Sequence, residues 1–134
     1  MIRGQNENLK KNYDNIVTVY TIISMVIIGG GITHILLTFI GYTELSEEAI
    51  WFAGSGLALV TIGVFNYIII RTHGNDQIIN TLSYILNASG ITMLILSFFV
   101  LVNEPQPIIL VILLIFASIF SLKMRKYHSL LERQ

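Results

Sequence analysis

The chain has 134 residues, of which 54% are hydrophobic and only 12% are charged, and its mean hydropathy is +0.72. A soluble domain of this size carries about 25% charged residues, so this composition indicates a surface that lies mostly in lipid. The formal net charge is zero, which argues against a nucleic-acid-binding surface, and the absence of cysteine excludes disulfides and thiolate metal sites.

Four apolar windows contain no Asp, Glu, Lys or Arg: Ile16–Gly41, Ala49–Ile70, Ile78–Val102 and Pro107–Leu122. A membrane core of about 30 Å is crossed by about 20 apolar residues in a helix, and each window reaches or approaches that length. The first window is too long for the apolar part of a cleaved signal peptide. We therefore predict an all-α integral membrane protein, with residues 1–134 forming a single domain and an antiparallel, up-down-up-down bundle of four transmembrane helices.

The distribution of charge predicts the orientation of these spans. All the basic residues lie in the two tails or in the connection between the second and third spans, at Arg3, Lys10, Lys11, Arg71, Lys123, Arg125, Lys126 and Arg133. The first and third connections carry acidic charges instead, at Glu44, Glu47, Glu48 and Glu104. Because positively charged connections stay on the cytoplasmic side, we predict that both termini lie in the cytoplasm.

Local signals predict how the second and fourth spans begin. Ser46 is placed to cap the second span, where Glu47 and Glu48 in the first turn are favoured by the helix dipole. Pro105 and Pro107 mark the start of the fourth span, since proline cannot continue the preceding helix but is tolerated in the first turn of the next one.

The polar side chains inside the spans fall at two depths. Counting about 1.5 Å per residue from the middle of each span places Asn66 about 9 Å and Asn87 about 4 Å toward the cytoplasm. The same count places His34 about 7 Å toward the outside. Asn66 and Asn87 are therefore predicted to make interhelical contacts, together with Ser83 on the same stripe of the third span. The alternative is that Asn66 and Asn87 form the floor of a pocket open to the cytoplasm, with Asn80 and Ser83 lining its mouth.

Small residues predict where helices approach closely. The stripe of Ala53, Gly56 and Gly63 on the second span is expected to face the third span. The run Gly29–Gly31 in the first span provides either close packing or a local kink. The fourth span has few small or polar residues and is expected to face lipid or an oligomer interface.

His34 is the one titratable side chain inside a span, and it has two interpretations. Together with Thr38, Trp51 and Ser55 it could form a ligand-binding site in the outer leaflet, or it could serve packing alone. A haem site would need a second intramembrane histidine, and Met93 matches His34 only in depth. A zinc site would need three or four converging ligands. We predict no metal, no cofactor and no catalytic residues, so an enzyme is the least favoured class.

Two families of small membrane proteins invite comparison. Small multidrug transporters match in length and span number, but that family relies on an intramembrane glutamate in its first span, and this chain has none there. The segments HILLT at 34–38, LSEEAIWFAG at 45–54 and GLAL at 56–59 resemble a group of small bacterial four-span membrane proteins. The resemblance covers the first two spans. It implies a bacterial inner-membrane location and no particular activity, and it directs attention to His34, Thr38, Ser46, Glu48 and Trp51.

The sequence thus favours a small accessory or interaction protein of the bacterial inner membrane that associates with itself or with a larger membrane protein. The alternative function is a binder or carrier of an apolar or amphipathic small molecule, such as a lipid or a quinone, near His34. Membrane lipids are expected partners in either case, and nucleic acid is not.

Overall fold

The computed structural model describes residues 2–100 and 105–133 of the chain. It contains four α-helices, α1 (Ile2–Gly41), α2 (Glu47–Arg71), α3 (Gln77–Val100) and α4 (Gln106–Glu132). Each has a stretch long and apolar enough to cross a membrane, and the prediction of an all-helical chain with four such helices is confirmed. The predicted end of the third span at Val102, and the acidic residue Glu104 that follows it, lie outside the described residues.

Helices α1 and α4 are much longer than the apolar windows that predicted them. Helix α1 begins well before Ile16, and helix α4 continues past Leu122 to Glu132. The segment 123–132 contains neither glycine nor proline, so nothing in it ends the helix when the apolar residues stop. Hydropathy marks only the apolar part of such a helix, whereas backbone hydrogen bonding continues beyond it.

The starts of α2 and α4 follow the local signals in the sequence. The side-chain oxygen of Ser46 accepts a hydrogen bond from the backbone N–H of Ala49 at 3.2 Å, and Glu47 and Glu48 lie in the first turn of α2. Pro107 lies in the first turn of α4, where a backbone N–H would have no hydrogen-bond partner within the helix, so proline is tolerated there.

The connection between α2 and α3 is a tight reversal. His73 and Gly74 both adopt positive φ angles, of 53° and 71°. The Oδ1 atom of Asp76 then accepts hydrogen bonds from the backbone N–H groups of the second and third residues of α3, at 2.9 and 3.0 Å. This cap fixes the start of α3 directly after the turn.

Helices α1 and α2 pack backbone to backbone through glycine. A Cβ atom added to Gly31 would lie 2.6 Å from the carbonyl oxygen of Gly56, and one added to Gly56 would lie 2.8 Å from that of Gly31. A Cβ atom on Gly63 would meet the Ile28 side chain at 2.6 Å and the Ser24 carbonyl oxygen at 3.0 Å. The prediction that Gly56 and Gly63 face the third span is therefore wrong. They face α1, because Gly31 supplies the matching gap on that helix.

Helix α4 also has a buried face. The side chains of Leu114, Ala117, Ser121 and Met124 are fully buried, and their spacing of three and four residues places them on one side of the helix. The expectation that α4 faces lipid or an oligomer interface is therefore wrong for this side. On α3, a Cβ atom at Gly90 would lie within 3 Å of both Ile62 and Leu114, so glycine brings α3 close to α2 and α4.

Consecutive helices run antiparallel and pack side by side, and α1 also contacts α4. One end of this arrangement holds the start of α1, the α2–α3 connection and the end of α4, and we call it the basic end. The opposite end holds the α1–α2 connection and the start of α4, and we call it the acidic end.

Candidate functional site

Asn66 is the centre of a buried polar network. Its Oδ1 atom accepts hydrogen bonds from the hydroxyl of Tyr20 at 2.8 Å, the Nδ2 of Asn87 at 3.0 Å and the hydroxyl of Ser83 at 3.1 Å. Its Nδ2 donates to Asn87 Oδ1 at 2.9 Å and to the Ile62 carbonyl oxygen at 3.0 Å. Both N–H groups and the oxygen of this amide are in use. One side chain of α2 therefore links α1, α2 and α3.

The packing of glycine brings this network together. Because Gly31 and Gly56 set the register of α1 against α2, a residue about three turns further toward the basic end of α1 comes to lie beside Asn66. That residue is Tyr20, which is fully buried. Depth in the membrane predicted that Asn66, Ser83 and Asn87 lie near one another, but it did not predict the contact with Tyr20. The register of α1 on α2 was the signal that could have found it.

A second polar contact joins α3 to α4. The hydroxyl groups of Tyr84 and Ser121 lie 3.3 Å apart, at hydrogen-bonding distance. The guanidinium Nη1 of Arg125 donates to the Tyr84 hydroxyl at 3.4 Å. Since Ser83 and Tyr84 are adjacent, α3 uses neighbouring side chains to bond to α2 on one side and to α4 on the other.

The network around Asn66 is suited to holding helices together. It is built from amides and hydroxyls, which donate and accept hydrogen bonds without being general acids or bases near neutral pH. A buried polar group without a partner costs free energy, and inside a membrane no water can replace the partner. The arrangement therefore specifies which helix faces meet.

The residues predicted to form an outer ligand site are largely engaged with their own helices. The His34 ring stacks on the Phe52 ring, with centroids 3.7 Å apart and planes 23° apart. The hydroxyl of Thr38 donates to the His34 carbonyl oxygen at 3.2 Å, and that of Ser55 donates to the Phe52 carbonyl oxygen at 2.7 Å. Trp51 is 72% exposed. The structure thus brings His34 onto α2 and leaves Trp51 on the outside.

A cluster of three rings lies at the basic end, and we call it the histidine cluster: Tyr13, His73 and His128. The Tyr13 hydroxyl and the Nδ1 atom of His73 share a hydrogen bond of 2.8 Å. The rings of His73 and His128 stack with centroids 5.2 Å apart and planes 19° apart. The Tyr13 and His128 centroids are 5.8 Å apart. The cluster joins α1, the α2–α3 connection and α4.

The two histidines also line an open cleft of about 510 Å³ between the α2–α3 connection and the last turns of α4. The Nε2 atom of His128 lies 3.2 Å from a carboxylate oxygen of Glu132 and 3.4 Å from the Nδ2 of Asn75. The other polar residues that line the cleft are Arg125, Lys126 and Ser129. We call this space the basic-end cleft.

The sequence did not predict this cleft, because the fourth span was predicted to end at Leu122 and the residues beyond it were not placed on a helix. Two signals were available. The distribution of charge predicts that both histidines lie on one side of the membrane, and continuing the helical periodicity places His128 on the same face as Ser121 and Arg125.

The described residues contain no group of three or more histidine, aspartate or glutamate side chains arranged to hold a metal ion. Comparison of the chain with protein-family models, with curated proteins and with solved structures finds no match.

Proposed function

We propose that this chain is a small accessory protein of the bacterial inner membrane that works by association of its helices with further copies of itself. The four long apolar helices support a multi-pass membrane protein. The distribution of lysine and arginine supports a topology with both termini in the cytoplasm, and the likeness over the first two spans supports a bacterial inner membrane.

Two glycines on the surface of α1 carry this proposal. A Cβ atom added to Gly29 or Gly30 would have no atom within 4 Å, whereas the next residue, Gly31, contacts the backbone of α2. Glycine destabilises a helix by about 1 kcal/mol relative to alanine. Among the three consecutive glycines, only Gly31 is required by a close contact within the chain. Close approach of a second helix would account for Gly29 and Gly30, because small residues let helix backbones meet within a membrane.

The state of the polar side chains favours association over the alternative function, a carrier of a lipid or quinone. The Asn66 amide is fully engaged within the chain. Two of the residues expected to bind a ligand, Thr38 and Ser55, bond to backbone carbonyls of their own helices. A carrier would need several polar groups to point together into a space between helices.

Substituting Gly30 tests the association directly. We expect Gly30→Leu to weaken self-association in lipid nanodiscs or mild detergent by about tenfold or more, because a bulky side chain would separate the two backbones. The measurement is energy transfer between differently labelled copies across a range of protein-to-lipid ratios.

Ala88→Leu is the matched control, since Ala88 in α3 is also exposed and alanine carries no helix cost for a partner helix to explain. It should associate as the unmodified protein does. Unchanged association of Gly30→Leu would refute the proposed interface, and an unmodified protein that stays monomeric at every ratio would refute self-association.

The proposed topology has its own test, helped by the lack of native cysteine. Thr43 and Ser129 are both exposed and lie at opposite ends of the molecule. In intact spheroplasts, a thiol reagent that cannot cross the membrane should label Thr43→Cys, and it should label Ser129→Cys only after the membrane is opened. The reverse pattern would overturn the orientation.

A further inference from the structure

Most of the polar side chains that line the basic-end cleft are basic or can donate hydrogen bonds. Arg125 and Lys126 supply two basic side chains, and two histidine rings lie beside them. The single acid that lines the cleft, Glu132, is 61% exposed and sits next to His128. We propose that this cleft binds a phosphate-bearing anion of the kind that lipid head groups carry.

Arg125 is held in place from two sides. Gly74 has a φ angle of +71°, and a Cβ atom added to it would collide with the aliphatic stem of Arg125. The stem thus occupies the space that a side chain at position 74 would take. At its other end, the guanidinium donates to the Tyr84 hydroxyl at 3.4 Å. A guanidinium fixed in this way keeps further N–H groups that can donate in parallel to phosphate oxygens.

The two histidines can donate further hydrogen bonds to the same phosphate group. His73 uses its Nδ1 atom for Tyr13, so Nε2 is the nitrogen that can donate to a ligand. His128 faces Glu132 through Nε2, and an incoming anion would compete with that carboxylate for the same nitrogen. The volume of about 510 Å³ is within the usual range for small-molecule sites, and it is ample for a phosphate with the first atoms attached to it.

The position of the cleft favours a lipid as the source of the phosphate. It lies at the bundle end where the described lysines and arginines are found, just beyond the apolar part of α4. Basic side chains at this level attract anionic head groups, and those that line the cleft can contact one directly, each contributing about a fivefold gain in affinity. Soluble phosphate would be recognised by the same atoms. This proposal does not depend on self-association, because all the cleft residues belong to one chain.

The test uses the full-length protein in nanodiscs of phosphatidylcholine, with or without phosphatidic acid. Native mass spectrometry then counts the phosphatidic acid molecules that stay bound to the protein after it is released from the nanodisc. We expect Arg125→Gln to reduce this retention by about fivefold or more. Lys123→Gln is the matched control. It removes the same charge from the same helix, but its ammonium lies over the Phe120 ring and does not line the cleft. It should retain phosphatidic acid as the unmodified protein does.

Glu132→Gln provides a change in the opposite direction, which also covers the case in which Arg125→Gln fails to fold. Removing the competing carboxylate should increase the retained phosphatidic acid. Equal losses in Arg125→Gln and Lys123→Gln would show general surface attraction and overturn the site. An unchanged Glu132→Gln would overturn it as well.

A second arm distinguishes the sources of phosphate. The unfolding temperature is measured in pure phosphatidylcholine nanodiscs with inorganic phosphate, using sodium sulfate at equal ionic strength as the control, and separately in nanodiscs that contain phosphatidic acid. A rise with phosphate that is lost in Arg125→Gln would support the cleft and assign it to soluble phosphate. A rise with phosphatidic acid alone would assign it to a lipid head group, and no rise with either would refute the proposal.

Discussion

Asn66→Leu is expected to lower the free energy of unfolding by about 2–3 kcal/mol, a large effect for an exchange that keeps the branching and the number of heavy atoms of the side chain. The substitution removes five hydrogen bonds at once. It also leaves Tyr20, Ser83 and Asn87 without their shared partner in a part of the bundle closed to water. The measurement is reversible unfolding in mixed micelles as the mole fraction of a denaturing detergent is raised.

A double-mutant cycle separates the hydrogen bonds from packing. Asn66→Leu and Asn87→Leu should couple by about 0.6–2 kcal/mol, the range found for hydrogen bonds between helices in membranes. Thr61→Val is the matched control on the same helix, because its hydroxyl bonds only to the Leu57 carbonyl oxygen. It should change stability little, and strictly additive effects of the two asparagine substitutions would contradict the direct pairing of their side chains.

Gly31→Ala is expected to destabilise the fold by about 2 kcal/mol, although it adds only a single methyl group and alanine is the better helix former. The new Cβ atom would lie 2.6 Å from the Gly56 carbonyl oxygen and 2.8 Å from the Val60 backbone nitrogen. Backbone atoms cannot move aside as a flexible side chain can, so α1 and α2 must separate. The separation would also disturb the contact of Tyr20 with Asn66.

The neighbouring residue provides the control for this prediction. Gly30→Ala adds the same methyl group one position earlier, where no atom lies within 4 Å. It should stabilise the isolated chain by up to about 1 kcal/mol, because alanine is the better helix former. Equal effects of the two substitutions would contradict the backbone contact between α1 and α2.

The four helices could be predicted from hydropathy, because crossing a membrane requires long apolar helices. The limits came from what hydropathy does not measure. The apolar residues stop at Leu122, but the backbone of α4 continues as helix to Glu132. The helix periodicity identified Gly56 and Gly63 as a small-residue face. It could not say which neighbour met that face, because both α1 and α3 offered glycine at a suitable depth.

The polar contacts, too, could be predicted only in part from the sequence. Depth alone placed Asn66 beside Asn87, since two amides at one level of a narrow bundle have few other partners. It did not include Tyr20, whose hydroxyl reaches Asn66 only in the register that Gly31 sets. The meeting of His73 with His128 depends on a turn with positive φ angles and on an extension of α4. Neither feature follows from composition or depth.

The central claim is that this chain works by association with copies of itself. The most direct test is native mass spectrometry of the unmodified protein, extracted gently from its own membrane. We expect an oligomer of the chain that carries no small molecule other than membrane phospholipids. A monomer that retains one discrete apolar molecule, and loses it in His34→Ala while staying folded, would contradict this account and establish a carrier.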